Sequence, residues 1–342
     1  MPQDKPAPAV SHRKSQRKLG VSIGLFLGVL TAYGGVVAAM LAAPFWWSIA
    51  LVPICGLLVV MLFVIGHDAC HQSFTPSRAL NHLIGRIAFL PSIHCYSLWD
   101  CEHNQRHHRF NNIKHLDYAW IPMSPAEYAR APLWQRLRYR FYRTPIGVLA
   151  YYLFELWAQR NLVPRRSLIG RATPVMIADS LGLAVMLLVY GSGLVLIGRE
   201  FGKSPVEVLT LTLLLPFLIF SGLMSAAIFL HHTHFSVPWY TSIDEWKARQ
   251  GATRGTVHVE FPTLFRWLIL NIMVHDAHHR APGVPLYSLK KIQPRITTPE
   301  IVTWRFTFPQ YFEICSRCKL FDYDASRWFD FAGNATGDPI RP

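Results

Sequence analysis

The sequence predicts an all-α integral membrane protein, with four transmembrane helices carrying a helical cap on their cytoplasmic side. Three observations predict it. Hydrophobic residues make up 51% of the 342 positions and charged residues only 16%, against roughly a quarter charged in a soluble domain. Four apolar runs without a single Lys or Arg are long enough to cross a bilayer, which takes about 20 helical residues. The Lys and Arg residues between those runs are shared very unequally between the two sides.

The elements follow in order. Residues 1–18 form a basic tail with five Lys and Arg. The first span covers about 19–43 and the second about 46–66, and the short break at Pro44–Phe45 makes them a tight hairpin. The first run is not read as a signal peptide, because it lacks a polar cleavage region and a second apolar run follows at once. Segment 67–173 holds 14 Lys and Arg. Within it, residues 131–160 mix Trp and Tyr with Arg and read as an amphipathic helix at the membrane interface. The third and fourth spans cover about 174–197 and 206–230, and their link carries only Arg199 and Lys203. Residues 233–342 hold 13 more Lys and Arg and end in a tail at 331–342. All the Lys and Arg except Arg199 and Lys203 therefore lie on one side. That side, with both termini, is expected to be the cytoplasmic face of the cell inner membrane. The same rule accounts for the net charge of +14, so no nucleic-acid partner is implied. A docking surface for an acidic electron carrier is compatible with it.

Six cysteines are present, most of them on the predicted cytoplasmic side, where disulfides are not expected. Cys315 and Cys318 form a CxxC, but no second CxxC completes a metal site, so they read as reduced thiols.

The 16 histidines are clustered. His67 and His71 stand in GHDACH at the end of span two; His103, His107 and His108 stand in CEHNQRHHRFNN. His231, His232 and His234 stand in LHHTHF at the end of span four; His275, His278 and His279 stand in VHDAHH. All four clusters fall on the predicted cytoplasmic side, a topology derived without them. Residues i and i+4 share a helix face. His67/His71, His103/His107 and His275/His279 therefore each offer two imidazoles to one place, with His108 and His278 turned partly aside. A doubled His beside such a pair suits two adjacent metal ions, and neutral imidazole suits iron, copper or zinc. A zincin is excluded, because HExxH needs Glu where this chain has Asp68. His12, His82, His94, His115 and His258 are isolated and read as surface or structural residues.

From about Ile65 to Lys291 the chain resembles the membrane fatty acid desaturase and hydroxylase superfamily, whose mark is three histidine boxes in this order. HNQRHHRFNNIKHLDYAWIPMS, GTVHVEFP and VHDAHHRAPGVPLYSLK are most similar to the bacterial and cyanobacterial acyl-lipid desaturases of the delta-12 (omega-6) type. The EHNxxHH pattern from Glu102 is also similar to membrane alkane hydroxylases. The resemblance makes 19–330 one desaturase domain whose cap houses a di-iron site. It implies two iron ions held by His67, His71, His103, His107, His108, His275, His278 and His279, plus one histidine of the last span. His232 stands where the family keeps that ligand, with His231 and His234 left open. O2 is the implied co-substrate, and a membrane acyl-lipid is the implied substrate. Asp68, Asp100, Glu102, Asp117 and Asp276 are candidates to orient the imidazoles.

The chain shows no cytochrome b5 domain, flavin motif or dinucleotide-binding glycines, so a separate electron donor, a ferredoxin or a b5-like protein, is expected. Two other functions fit parts of the pattern. One is a di-iron hydroxylase or ketolase of alkanes, carotenoids or sphingolipids. The other is a histidine-lined metal transporter, which would need polar residues within the spans, where Asp179 is the exception.

Overall fold

A computed structural model describes residues 17–165, 172–296 and 298–340. The basic tail and His12 lie outside the described residues, apart from Arg17 and Lys18. The helices that build the site are α1 (Leu19–Ala42), α2 (Phe45–Cys70), α3 (Arg78–Phe89), α4 (96–110), α5 (Leu133–Tyr142), α6 (148–160), α7 (Pro174–Glu200), α8 (Pro205–His232), α9 (His275–Arg280), α10 (Leu286–Ile296) and α11 (Phe308–Arg317). Strands β1 (Val257–Glu260) and β2 (Val302–Arg305) pair in parallel, Val257 opposite Val302.

The four long apolar helices are α1, α2, α7 and α8, as the hydropathy predicts. Pro44 ends the first and caps the second, and the Ser48 hydroxyl closes the turn by donating to the Met40 carbonyl at 2.7 Å. Three of the helices run past their predicted ends, α2 to Cys70, α7 to Glu200 and α8 to His232. His67 and His231–His232 thus sit on the last turns of α2 and α8, and His71 is the first residue past α2. These two helices approach closely: a Cβ on Gly56 would stand 2.7 Å from Ile219, so only glycine fits there. Helix α7 is peripheral, with Leu181, Val185, Leu188 and Val189 exposed. Its Asp179 takes Nε and Nη2 of Arg86 from α3 at 2.9 and 3.0 Å.

Residues 131–160 are not one interfacial helix. Helix α5 stops and α6 begins across 143–147, because Pro145 cannot continue the ladder and a Cβ on Gly147 would strike the Phe141 carbonyl. Ile146 at the tip is 76% exposed. With Leu149 and Leu153 it lines a groove shared with Val52 of α2 and Leu215 and Leu218 of α8, so the tip is folded against the spans. Buried Arg143 locks this turn to the cap by donating to the carbonyls of Trp120 at 3.0 Å and Cys318 at 3.3 Å. The Tyr311 hydroxyl of α11 donates to the Pro145 carbonyl at 2.6 Å. The six cysteines are free thiols, Cys315 and Cys318 both buried.

Candidate metal centre

The ends of α2 and α8, helix α4 and helix α9 bring nine imidazoles together in two groups. His67, His71, His103, His108 and His278 form one; His107, His232, His275 and His279 form the other. These are the nine residues singled out in the sequence, and His231 and His234 stand outside both groups. Within the groups the Nε2 atoms converge. His103 Nε2 lies 3.1 Å from that of His67 and 3.0 Å from that of His108; His108 lies 3.2 Å from His278. His232 Nε2 lies 3.0 Å from His107 and 2.9 Å from His275.

The pairing along α4 differs from the expected i, i+4 pattern. His103 joins His108, and His107 goes to the other group. The reason is a π-helical turn at His103–His107, closed by the His108 N–H on the His103 carbonyl. In a regular α-helix His108 would stand about 140° round from His103; the wider turn brings it back to that side and swings His107 away. Helix α9 is regular: His275 and His279 share a group as predicted, and His278 turns to the other.

The hydrogen bonds behind two rings test whether a cation fits. His107 Nδ1 donates to Asp117 Oδ1 at 2.9 Å. His232 Nδ1 donates to the Gly255 carbonyl at 2.9 Å. Both rings are then Nδ1–H tautomers, so each Nε2 presents a lone pair to the other across 3.0 Å. Two acceptors cannot bond each other, and a shared cation resolves the contact. Nε2 of His71 and of His279 are likewise buried without a hydrogen-bond partner. Imidazole–metal bonds of about 2.1 Å at right to tetrahedral angles set nitrogens about 3.0–3.4 Å apart, which matches these spacings. Burial, reinforced by the neighbouring rings, pushes His71, His103, His108, His275, His278 and His279 well below the usual histidine pKa, so they stand as neutral ligands.

The five carboxylates expected behind the rings divide. Asp117 touches His107 and also accepts the backbone N–H groups of Asn112 at 2.9 Å and Tyr118 at 2.7 Å. Burial alone would raise its carboxyl, but the His107 imidazole and the N–H donors outweigh it and the pKa lies below the ordinary value. Asp68 stands 3.6 Å from His67 Nδ1 and accepts the Leu286 N–H at 2.7 Å. Asp276 faces His258 Nδ1 at 3.1 Å, so His258 belongs to the surroundings of the third box and is not an isolated residue. Asp100 accepts from Asn104, and Glu102 holds Arg160 at 2.9 Å and Arg106 at 3.4 Å; neither reaches a histidine. The sequence did not point to the Gly255 carbonyl, to Trp99, or to Asn112, whose side chain donates to the carbonyls of His232 and Pro238 at 3.3 and 3.2 Å. The doubled Asn after the second box was the available signal for Asn112.

Both groups border one cavity, whose remaining wall is mostly apolar: Trp99, Tyr118, Tyr152, Leu156, Met224 and Ile228. Tyr152 is held by donating its hydroxyl to His94 Nε2 at 2.6 Å, while His94 Nδ1 donates to the Ser92 carbonyl at 2.6 Å; His94 is structural, as expected. Asp179, the ionisable residue inside α7 that the transporter reading would draw on, is paired with Arg86 of α3, while the nine grouped histidines lie at the ends of α2 and α8 and on α4 and α9.

The family model for fatty acid desaturases matches residues 44–303. The chain is 29% identical over 301 residues to an sn-1 oleoyl-lipid 12-desaturase of a Picosynechococcus strain, covering 86% of this chain and 82% of that protein. It is 28% identical over 277 residues to a chloroplastic omega-6 fatty acid desaturase of Arabidopsis thaliana, covering 78% of this chain but 58% of the plant protein. An sn-1 acyl-lipid omega-3 desaturase (ferredoxin) of a Nostoc strain is 29% identical over 279 residues, 78% of this chain and 70% of that one.

Proposed function

Because the chain belongs to the fatty acid desaturase family, we propose that it places a second double bond in an oleoyl chain of a membrane lipid, at the delta-12 (omega-6) position. The oxidant is O2, and the centre is two iron ions held by the two histidine groups. The observation that carries this reading is the position of both groups against one apolar cavity. The names of the cyanobacterial and plant relatives support the position of the new bond.

An acyl methylene has no acidic proton, so acid–base chemistry cannot open it; the irons would supply, from O2 and two outside electrons, the oxidising power that removes two hydrogens, with water as the other product. The chain's own residues do the rest. Asp117 and Gly255 fix the rings of His107 and His232 with their lone pairs inward. Leu156, Met224 and Ile228 exclude water and hold the acyl chain beside the histidines. The hydrogen bond from Tyr152 to His94 keeps that wall in place.

The Lys and Arg asymmetry supports a cytoplasmic centre in the inner membrane. The electrons come from a separate protein, a ferredoxin or a b5-like carrier, and the ferredoxin in the name of the Nostoc relative supports the first. The test is aerobic expression in a bacterial host fed oleate, with fatty acids profiled by gas chromatography–mass spectrometry after double-bond derivatisation. A diene with its new bond at position 12 is expected. A hydroxylated product, or a bond elsewhere, would overturn the assignment.

A further inference from the structure

A second pocket lies on the other side of the chain segment that walls the metal cavity. Ile272 and His275 face the apolar cavity, while Met273 and Val274 between them face the second pocket. The chemistry of this pocket is different. It is lined by His258, Glu260, Arg266, Lys290, Gln293 and Thr303, with Met273 buried at its floor. Lys290, its neighbour Lys291 and Arg305, the strand partner of Glu260, are exposed, so cations outnumber acids on this face. One segment of backbone separates a basic, solvent-facing pocket from the metal cavity.

Across that wall runs a chain of contacts that the ligand sets do not use. Met273 Sδ lies 3.2 Å from His231 Nε2, which donates to it. The His231 ring lies flat on the ring of His275, with centroids 3.7 Å apart and planes 10° apart. His231 is buried and belongs to neither histidine group. It therefore links the pocket floor to a member of the group of four without competing for a metal.

We propose that this pocket is the electron-delivery port: an acidic one-electron carrier protein docks over Arg266 and Lys290, and the electron crosses through Met273 and His231 to His275. The proposal rests on the desaturase reading, which requires two electrons per turnover. Each docking oxidises one carrier and reduces the metal centre by one electron, and no bond in the chain is made or broken. Electron coupling falls steeply with every gap, and this path consists of direct contacts. Basic rims raise the encounter rate of acidic partners in a salt-dependent way.

The test uses the iron-loaded protein in lipid nanodiscs and a photoreduced acidic [2Fe–2S] ferredoxin. Its reoxidation is followed by stopped-flow absorbance and its binding by surface plasmon resonance. The Arg266→Glu, Lys290→Glu double variant should weaken ferredoxin binding by about tenfold or more and flatten its salt dependence. Met273→Leu, close in volume, should leave binding unchanged and slow electron transfer severalfold at saturating ferredoxin. Iron content and reduction by dithionite should match the parent protein in both variants, which keeps a folding defect apart from a docking defect. Parent-like ferredoxin binding and oxidation in both variants would overturn the port. So would a double variant that loses affinity for the lipid substrate and not for ferredoxin, since the pocket would then be a head-group site. A parent protein that holds no iron, or whose iron dithionite cannot reduce, would instead sink the di-iron reading beneath the proposal.

Discussion

In the group of four, His107 and His232 each have a hydrogen bond behind the ring, to Asp117 and to the Gly255 carbonyl. In the group of five, Nδ1 of His67, His108 and His278 has no hydrogen-bond partner among the described residues. Those rings are held by packing. Trp99 stacks on His103 with centroids 4.0 Å apart and meets His67 edge-on at 5.3 Å. His71 is enclosed by His67, His103, His108 and His278. Two rings of the group of four thus have their tautomers set before an ion arrives, while His275 Nδ1, like those three of the group of five, has no hydrogen-bond partner among the described residues. The group of five has one more imidazole and no ring of this pre-set kind among those three. Pre-set lone pairs reduce the reorganisation on binding, so the group of four should load first and release last.

The largest test of that difference is His107→Ala. It removes a pre-set ligand and should abolish turnover while the chain remains in the membrane, with iron content falling from two per chain toward one. Full activity in the variant would contradict the ligand assignment. Next comes Asp117→Asn, which keeps the shape and loses the carboxylate behind His107. A fall of about 10–100-fold in activity or metal affinity is expected, read as iron per chain after dialysis against a graded chelator series. Trp99→Leu attacks the other group through its packing. An aromatic stack is worth about 0.5–1.5 kcal/mol beyond area, so a loss of up to about tenfold in affinity of the more weakly held iron is expected in the same titration. Asp68→Asn should do least, because 3.6 Å is too long for a hydrogen bond to His67, and the amide oxygen can still accept the Leu286 N–H. If Asp68→Asn costs as much iron as Asp117→Asn, the two groups are not oriented differently.

Acid acts on both groups at once. Burial lowers the folded-state pKa of His71, His103, His108, His275, His278 and His279 below the unfolded value of 6.5. Below about pH 6.5 the unfolded chain therefore takes up protons that the folded, iron-free site refuses. The stability these neutral rings allow is fully present above that pH and is lost as the pH falls toward the lower folded values. Thermal unfolding of the iron-free protein should show a Tm that is level between pH 7 and 8 and drops by pH 5.5; a level Tm down to pH 5.5 would contradict the buried neutral rings.

Much of this was legible in the chain. Hydropathy located the four long helices, because membrane solvation imposes length and composition on each one separately. The nine clustered histidines were legible because a site built from one residue type shows in the sequence as clusters of that type. Three things were not. The division of 131–160 into α5 and α6 depends on what Gly147 meets in space. The role of Gly255 is a backbone carbonyl, which has no residue signature. The pairing of His103 with His108 depends on a helix widening at one turn, and periodicity assumes a constant pitch.

That wider turn has a consequence for how such a site tolerates change. One surplus residue between His103 and His107 works as a phase shifter, letting a single rod address both histidine groups, one on either side of its axis. Deleting Asn104 or Gln105 would keep every histidine and every charge of the site and let the turn close as a regular α-helix, with His108 four residues from His103 and still on its face. The spacing inside this box is therefore elastic by one residue, because the helix can widen to absorb it, and a strict i, i+4 template would miss the pairing that the widened turn makes.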